Sequence, residues 1–496
     1  MNVIAVNSRE SPSRVRLTMP GDLAEKLFAH LFPGDGDEHG AVIGAGMAYS
    51  PDGQLRLLGR EIVLARDGVE YIPGERGYRM LTGQFVTEQI VRCRNNRLVY
   101  LAVHNHGGTS RVGFSQDDLA SHRRGYPALL DVMEGRPVGA LVFAREAAAG
   151  QLWLSAQRQV EIDEVTVLGS SIVRLMSQPA ATPAQRAPAY DRQARLFGDR
   201  GQDLLQNCQV AVIGAGGAGS LIVEYLARLG VGRFVVIDPE RLDPTNVPRV
   251  TGSTNWDAMS WLRAPNRAKW LRTIGERLAA PKVRIMRRLI RRANPRAEVT
   301  ALMSDFVDDA VARSVLTCDY LVLAADSMHA RLVFNSIVHA YLIPGVQVGA
   351  KVPVDSASGD VGTVFTVSRP VTPSSGCLWC NGLITPAGLQ REAETDAERR
   401  AQRYLAEAYV VAPSVVTLNA TAASQAANDF LFAVTGLADR NAPLDYIRFI
   451  PRERSVKFER PRRDAACPHC GIGAGSLLGR GDAASLPTRE RAGSGR

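Results

Sequence analysis

Apolar residues recur in two different rhythms along this chain. Up to residue 177, short strand-type runs at 15–19, 40–44, 55–58, 98–104, 137–143 and 151–154 alternate irregularly with helical periodicity at 21–32, 82–94 and 116–133. Such a mixture predicts an α+β unit. From residue 190 the order becomes regular. A buried-strand run at 210–214 passes through a glycine turn into a helix at 220–229, and strand runs follow at 233–238, 299–302 and 320–326. That order predicts the front half of a doubly wound parallel sheet. Between the two units, 178–189 is Pro/Ala-rich without periodicity and reads as a linker. The second unit is expected to span 190–470. Residues 471–496, rich in Gly, Ser and Arg, are expected to be a disordered tail.

Composition narrows the class. With 496 residues, 45% hydrophobic and 22% charged, the chain is no collagenous, coiled-coil or wholly disordered protein. No window reaches 18 uncharged apolar residues, so no membrane partner is expected. The start carries an early acid and no long apolar core, so no signal peptide is expected and a cytoplasmic enzyme is the working class. The net charge of +9 rests on five lysines and 54 arginines. The arginines are spread evenly, and the cluster Arg287, Arg288, Arg291, Arg292 reads as a solvated helix face, so nucleic acid is not an expected partner. The seven cysteines, an odd number, argue for a reducing compartment over a disulfide framework.

Two places carry chemistry, one in each unit. In the first, His104 and His106 end an apolar strand, where imidazoles at i and i+2 share a face. Asp118, at the start of a helix three residues past Ser115, can supply a third ligand. Three protein ligands leave zinc an open position, as a hydrolase requires. In the second unit, Gly214-Ala-Gly216-Gly217-Ala-Gly219 follows a strand and opens a helix. Gly214 permits the tight turn, Gly216 lets a phosphate approach, and Gly219 lets helix pack on strand. Asp238 ends the next strand, where a ribose hydroxyl is read. Alone these residues point to NAD or FAD. Arg192, Asn246, Arg249, Lys269, Asp326, Arg331 and Asn335 around them instead suit nucleotidyl transfer, in which charge develops on phosphates and a carboxylate holds Mg2+. Cys377-x-x-Cys380 and Cys467-x-x-Cys470 form two knuckles able to hold one structural zinc through four thiolates; a redox role is the alternative.

The first constellation, His104-x-His106-x8-Ser115-x2-Asp118, resembles the JAMM/MPN metalloisopeptidases, which cleave after the terminal glycine of ubiquitin-like proteins. The resemblance implies that His104, His106 and Asp118 hold a catalytic zinc and that Ser115 stabilises an oxyanion. It also implies a water-activating carboxylate just before the strand at 40–44, either Glu38 or Asp37. The second resembles the ThiF-type adenylyltransferases, the fold shared with ubiquitin-activating enzymes, over most of 188–470. This implies ATP-dependent adenylation of the terminal glycine of a ubiquitin-like or sulfur-carrier protein. By that resemblance Gly214 to Gly219 wrap the nucleotide and Asp238 reads the ribose, while Asn246, Arg249 and Lys269 contact phosphates. Asp326 then places Mg2+, and Arg192 acts as an arginine finger crossing from a partner, which implies a homodimer. Thioester-forming relatives carry a cysteine after the first knuckle, whereas 381–466 contains none. Cys208 and Cys318 read as packed small hydrophobes. The expectation is adenylation without a thioester on this chain, the acyl group passing to a conjugating enzyme or sulfurtransferase. Two other readings stay open, a carrier-binding scaffold with only one active unit and a dinucleotide-dependent redox enzyme.

Overall fold

The computed structural model describes residues 12–74, 77–180, 188–355, 358–394, 413–439, 442–473 and 475–490. Most of the expected linker, 181–187, lies outside the described residues, as do 395–412 of the cysteine-free stretch. Two compact units result, Met1–Thr182 with His339–Leu342 and Ala465–Ser485, and the remainder.

The first unit contains β1 (Arg14–Pro20), α1 (Gly21–Leu31), β2 (Gly40–Tyr49), β3 (Gln54–Leu64), a small hairpin of β4 (Tyr71–Pro73) and β5 (Arg79–Leu81), α2 (Gly83–Asn95), β6 (Val99–Asn105), α3 (Gln116–Val132), β7 (Val138–Phe143), β8 (Ala148–Ser155), β9 (Arg158–Ile162), β10 (Glu164–Leu168) and β11 (Ile172–Leu175). Nine strands form one mixed sheet in the order β11-β10-β1-β3-β2-β6-β7-β8-β9. Two apolar cores flank it. Leu27 and Leu31 of α1 pack with Val99, Leu101 and Val103. Phe85, Ile90, Tyr126 and Leu130 of α2 and α3 pack with Tyr100 and Ala102 on the other side. Because side chains alternate along β6, His104 follows Tyr100 and Ala102 onto the face covered by α3.

The expected disordered tail is not observed over 475–485, which packs within this unit. Leu478 is buried, the Asp482 backbone N–H donates to the Met47 carbonyl (2.8 Å), and its Oδ2 accepts from Tyr49 N (2.9 Å). The Arg60 guanidinium donates to the carbonyls of Gly473 (2.7 Å), Ser476 (3.2 Å) and Leu478. Composition registers the glycines of this segment but not a distant arginine that satisfies its carbonyls.

The second unit contains α4 (Asp191–Asn207), β12 (Gln209–Ile213), α5 (Gly217–Leu229), β13 (Arg233–Ile237), α6 (Lys269–Leu278), α7 (Lys282–Ala293), β14 (Glu298–Leu302), α8 (Asp309–Arg313), β15 (Tyr320–Leu323), α9 (Met328–Ala340), β16 (Gly345–Lys351), β17 (Phe365–Val371), α10 (Pro386–Ala393), α11 (Val416–Thr435), β18 (Tyr446–Ile450) and β19 (Ser455–Glu459). The strand order is β14-β13-β12-β15-β16-β17-β18-β19. The first five are parallel and the last three antiparallel. The order reverses between β12 and β15, which opens a crevice at the carboxyl ends of these strands. The arginine cluster on α7 is only partly a solvated face: Arg287, Arg291 and Arg292 are exposed, but Arg288 pairs with Asp257 (2.7 Å). Among the described residues no helix is long and apolar enough to cross a membrane.

Candidate functional sites

At the end of β6 the structure brings together His104, His106, Asp118, Ser115 and Glu38. His104 Nε2 and His106 Nε2 are 3.1 Å apart, and Asp118 Oδ2 is 3.5 and 3.4 Å from them. A tetrahedral ion with Zn–N bonds of about 2.05 Å has ligand-to-ligand edges of about 3.3 Å. The three atoms therefore stand at zinc-ligand spacing, and their chemistry fits a zinc ion with an open position. His106 Nδ1 lies 3.1 Å from the Gly113 carbonyl; a proton held there leaves the Nε2 lone pair facing the cluster. Ser115 caps α3, its Oγ donating to Asp118 Oδ2 (2.7 Å) while accepting from Asp118 N (3.1 Å). This capping box fixes the rotamer of the third ligand. Burial alone would raise the Asp118 carboxyl, but the histidines hold it well below the usual range.

Glu38 Oε1 is 3.7 Å from His106 Nε2, and burial raises its carboxyl. Asp37 instead pairs with Arg79 (3.4 Å). Of the two carboxylates left open by the sequence, Glu38 is the one that faces the histidines. Its loop is fixed by contacts far away in sequence. Buried Asn105 accepts from His39 N (2.6 Å) and donates to the Asp37 carbonyl (3.3 Å), and Arg79 Nε donates to the Glu38 carbonyl (3.0 Å). No sequence pattern marked Asn105 or Arg79.

In the second unit the three glycines of the turn differ in their surroundings. Gly214 has φ +93°, and a Cβ there would meet the Ala324 carbonyl carbon at 2.9 Å. A Cβ on Gly219 would overlap the Gly214 carbonyl oxygen and stand 3.3 Å from Ala324 Cβ. A Cβ on Gly216, the N-cap of α5, would meet nothing within 4 Å. The turn is thus tight on both sides and open in the middle, at a helix N-terminus suited to an anion. Gly217 is approached by Asn419 of α11, whose Nδ2 donates to Ser414 Oγ (3.1 Å); sequence reasoning missed both.

Asp238 is buried and accepts from the turn itself, Ala215 N (2.7 Å), and from Glu240 N (2.9 Å). Its observed work is to brace the glycine turn, and burial raises its carboxyl. Asp326 is exposed, two residues past the backbone that touches Gly214. Asn246 is buried and caps a short 3-10 turn, its Oδ1 accepting from Asp243 N (3.3 Å), so this side chain is engaged locally. Arg249 is half-buried, Lys269 is exposed as the first residue of α6, and Arg192 is exposed on α4. A lysine not singled out from the sequence, Lys282, is buried at the start of α7, pairs with Glu240 and faces Asp238 electrostatically. Of the two lysines, Lys282 is the one that the fold sets beside the strand-end carboxylate.

The Sγ atoms of Cys377, Cys380, Cys467 and Cys470 lie within 4.8 Å of one another. Cys380 N points at Cys377 Sγ and His469 N at Cys467 Sγ, both 3.4 Å, as zinc knuckles require. Zn–S bonds of about 2.3 Å give edges of about 3.8 Å, so four thiolates at this spacing fit one closed zinc. Cys93, Cys208 and Cys318 are all buried, and burial pushes the Cys93 thiol up to about 12.

Comparison with known proteins bears on the second unit. Residues 190–470 match the ThiF family. The tRNA threonylcarbamoyladenosine dehydratase of Bacillus subtilis is 32% identical over 140 residues, covering 28% of this chain and 47% of that protein. The sulfur carrier protein ThiS adenylyltransferase of the same organism is 27% identical over 215 residues, covering 40% and 56%. The chain thus spans about half the length of these relatives. Among solved structures, E. coli MccB aligns with a TM-score of 0.43 at 18% identity, covering 58% of this chain and 75% of MccB.

Proposed function

The chain belongs to the ThiF family, and on that premise we propose that its second unit adenylates the C-terminal carboxylate of a ubiquitin-like or sulfur-carrier protein with ATP. The observation that carries this reading is the glycine turn, closed at Gly214 and Gly219 and open at Gly216, beside the crevice where the strand order reverses. ATP phosphates lie against the open backbone at the start of α5. A carboxylate oxygen of the carrier bonds to the α-phosphorus, the bond from that phosphorus to the bridging oxygen breaks, and pyrophosphate leaves. Asp326 would hold Mg2+, which would supply charge neutralisation on the phosphates. Among the described residues, Lys282, paired with Glu240 beside Asp238, and the less buried Arg249 and Lys269 are the cations assigned to the leaving group. Arg192 is offered to a second copy, in keeping with a homodimer. The two relatives' names point to different substrates, a carrier protein and a modified tRNA nucleoside. The resemblance of His104, His106, Ser115 and Asp118 in the first unit to a metalloisopeptidase signature favours the carrier.

The histidine cluster supports a second activity, zinc-dependent cleavage at the same C-terminus, either precursor processing or deconjugation. Zinc held by His104, His106 and Asp118 would supply Lewis acidity. Glu38 takes the proton of an attacking water and returns it to the departing amine. Ser115, whose hydroxyl proton is held by Asp118 Oδ2, fixes the third ligand and reaches a developing oxyanion only by releasing that bond. The buried cysteines favour transfer of the activated acyl group to a partner's thiol or a sulfur donor over a thioester on this chain. The test is ATP–pyrophosphate exchange dependent on a small protein ending in glycine. Exchange is expected to be lost in Asp326→Ala and Lys282→Ala and retained in His104→Ala, with cleavage showing the opposite pattern. Exchange without any carrier, or a bound flavin or nicotinamide in the purified protein, would overturn the reading. Carrier binding without either reaction would leave a scaffold.

A further inference from the structure

Three of the five tryptophans stand in solvent within one short stretch of the second unit. Between residues 256 and 262, Ala258 and Leu262 are buried while Trp256 and Trp261 are 72% and 52% exposed, their rings 6.4 Å apart. Burial would select the opposite arrangement, because the indoles are the larger apolar groups. Helix α6 continues the pattern. Gly275 is its buried residue, and a Cβ there would meet Arg263 Cγ at 2.7 Å, so the helix leans on the body along its smallest side chain. Trp270, Ile274 and Leu278, spaced i, i+4 and i+8 on another face, are exposed, Trp270 by 64%. The stretch is held firmly. Ala280 N donates to the Asp257 carbonyl (2.7 Å), and the Asp257 carboxylate pairs with Arg288 of α7 (2.7 Å). Large apolar side chains kept outside a fixed framework mark a contact surface.

Charge is concentrated in the same region. Residues 263–292 hold eleven lysines and arginines against one acid, Glu276, a net +10 in a chain of net +9, so the rest of the chain is close to neutral. The even spread of arginine expected from the sequence therefore fails here. Arg263, Lys282 and Arg288 are taken up by Asp243, Glu240 and Asp257. Arg267, Arg272 and Arg277 around α6 and Arg284, Arg287 and Arg291 along α7 are exposed, and none forms an ion pair among the described residues. Arg288 of α7 reaches Asp257, the neighbour of Trp256, so the arginine row of α7 lies beside the tryptophans.

An occupant of this face has to take up both the apolar stripe and the cations. A second copy meeting it across a two-fold axis would bring the same unpaired arginines together, which like-charge repulsion opposes. Bases of a nucleic acid stack on indoles but make no use of Ile274 and Leu278. At an anionic bilayer each group has a place: indoles at the interface, aliphatic side chains beneath them, guanidinium groups among the lipid phosphates. We infer that α6, with Trp256, Trp261 and the arginine row of α7, rests on an anionic lipid surface. Such a helix lies in the plane of the bilayer and needs no spanning run.

The experiment sediments the full chain with vesicles of phosphatidylcholine in which roughly one lipid in three is phosphatidylglycerol, against vesicles of phosphatidylcholine alone. Binding to the anionic vesicles is expected to be at least about tenfold tighter and to fade as salt is raised, with a blue shift of indole emission. Trp270→Glu, and the double variant Arg284→Gln with Arg291→Gln, are each expected to weaken it at least about tenfold. Their melting temperatures should match wild type, because these side chains are exposed. Phe458→Glu, at an exposed apolar residue of β19, is expected to leave binding unchanged. No binding to the anionic vesicles, equal binding to the neutral ones, or full binding by Trp270→Glu overturns the lipid surface. So does a dimer that dissociates in Trp270→Glu, which would give the face to a second copy, or an oligouridylate that shifts indole emission where the vesicles do not, which would give it to RNA.

Discussion

Substituting alanine at two glycines of one turn separates folding from nucleotide binding. In Gly219→Ala the new methyl group overlaps the Gly214 carbonyl oxygen, stands 3.0 Å from its carbon and lies 3.3 Å from Ala324 Cβ. Two of these atoms are backbone and cannot rotate away, so helix α5 must lift off β12. Overpacking of this kind costs about 1–3 kcal/mol, against about 1 kcal/mol that alanine gains over glycine within a helix. The net loss is up to about 2 kcal/mol, or a fall in melting temperature of up to roughly 8 °C. In Gly216→Ala the methyl group meets nothing within 4 Å, and φ is −80°. Reduced freedom of the unfolded chain stabilises by about 0.4–1 kcal/mol, and the poorer N-cap takes back a similar amount. Stability should therefore stay within about 0.5 kcal/mol of wild type. The same methyl group occupies the space through which a phosphate must reach the helix N-terminus, so affinity for ATP should fall at least about tenfold. Calorimetric melting and titration with a fluorescent ATP derivative measure the two effects. Gly216→Ala binding ATP like wild type, or melting as low as Gly219→Ala, would refute the assignment of the open glycine to phosphate.

Metal analysis of the purified chain should give two zinc ions, with one lost in His104→Ala and the other in Cys377→Ser. A single zinc that survives His104→Ala would remove the catalytic site. Glu38→Gln should keep both ions but reduce carrier cleavage at least about a hundredfold, while Asp37→Asn should leave most of it. Asp257 accepts from Arg288 (2.7 and 2.8 Å), and that pairing holds its carboxyl below the usual range in the folded chain. Its contribution to stability is thus complete above the ordinary carboxylate range and is lost as pH falls through the lowered value; Asp257→Asn should flatten the acid limb of a melting-temperature profile. Native protein should resist alkylation at Cys93, Cys208 and Cys318, and a carrier held to this chain by a thiol-sensitive bond would contradict the absence of a thioester.

Local pattern was enough for what local physics decides. The alternation in β6, the glycine spacing after β12 and the paired C-x-x-C knuckles were legible because each depends on neighbours a few residues apart. That β12, β13 and β15 belong to one parallel sheet followed from the βαβ rhythm. The antiparallel strands β17 to β19 did not, since their burial depends on partners that periodicity does not name. Glu38 and Asp37 are equivalent as letters, and only Asn105 and Arg79, brought in from β6 and β5, turn one to the histidines and spend the other on an ion pair. The two lysines differ for the same reason: the fold buries Lys282 beside Asp238 and leaves Lys269 in water. The glycine-rich segment after Cys470 looked structureless because its backbone is satisfied by Arg60, more than four hundred residues earlier. Sequence determines which groups are present and what their immediate geometry can be. Tertiary structure decides which charges lose water and which find partners, because desolvation and pairing depend on distance in space, which the chain order does not fix.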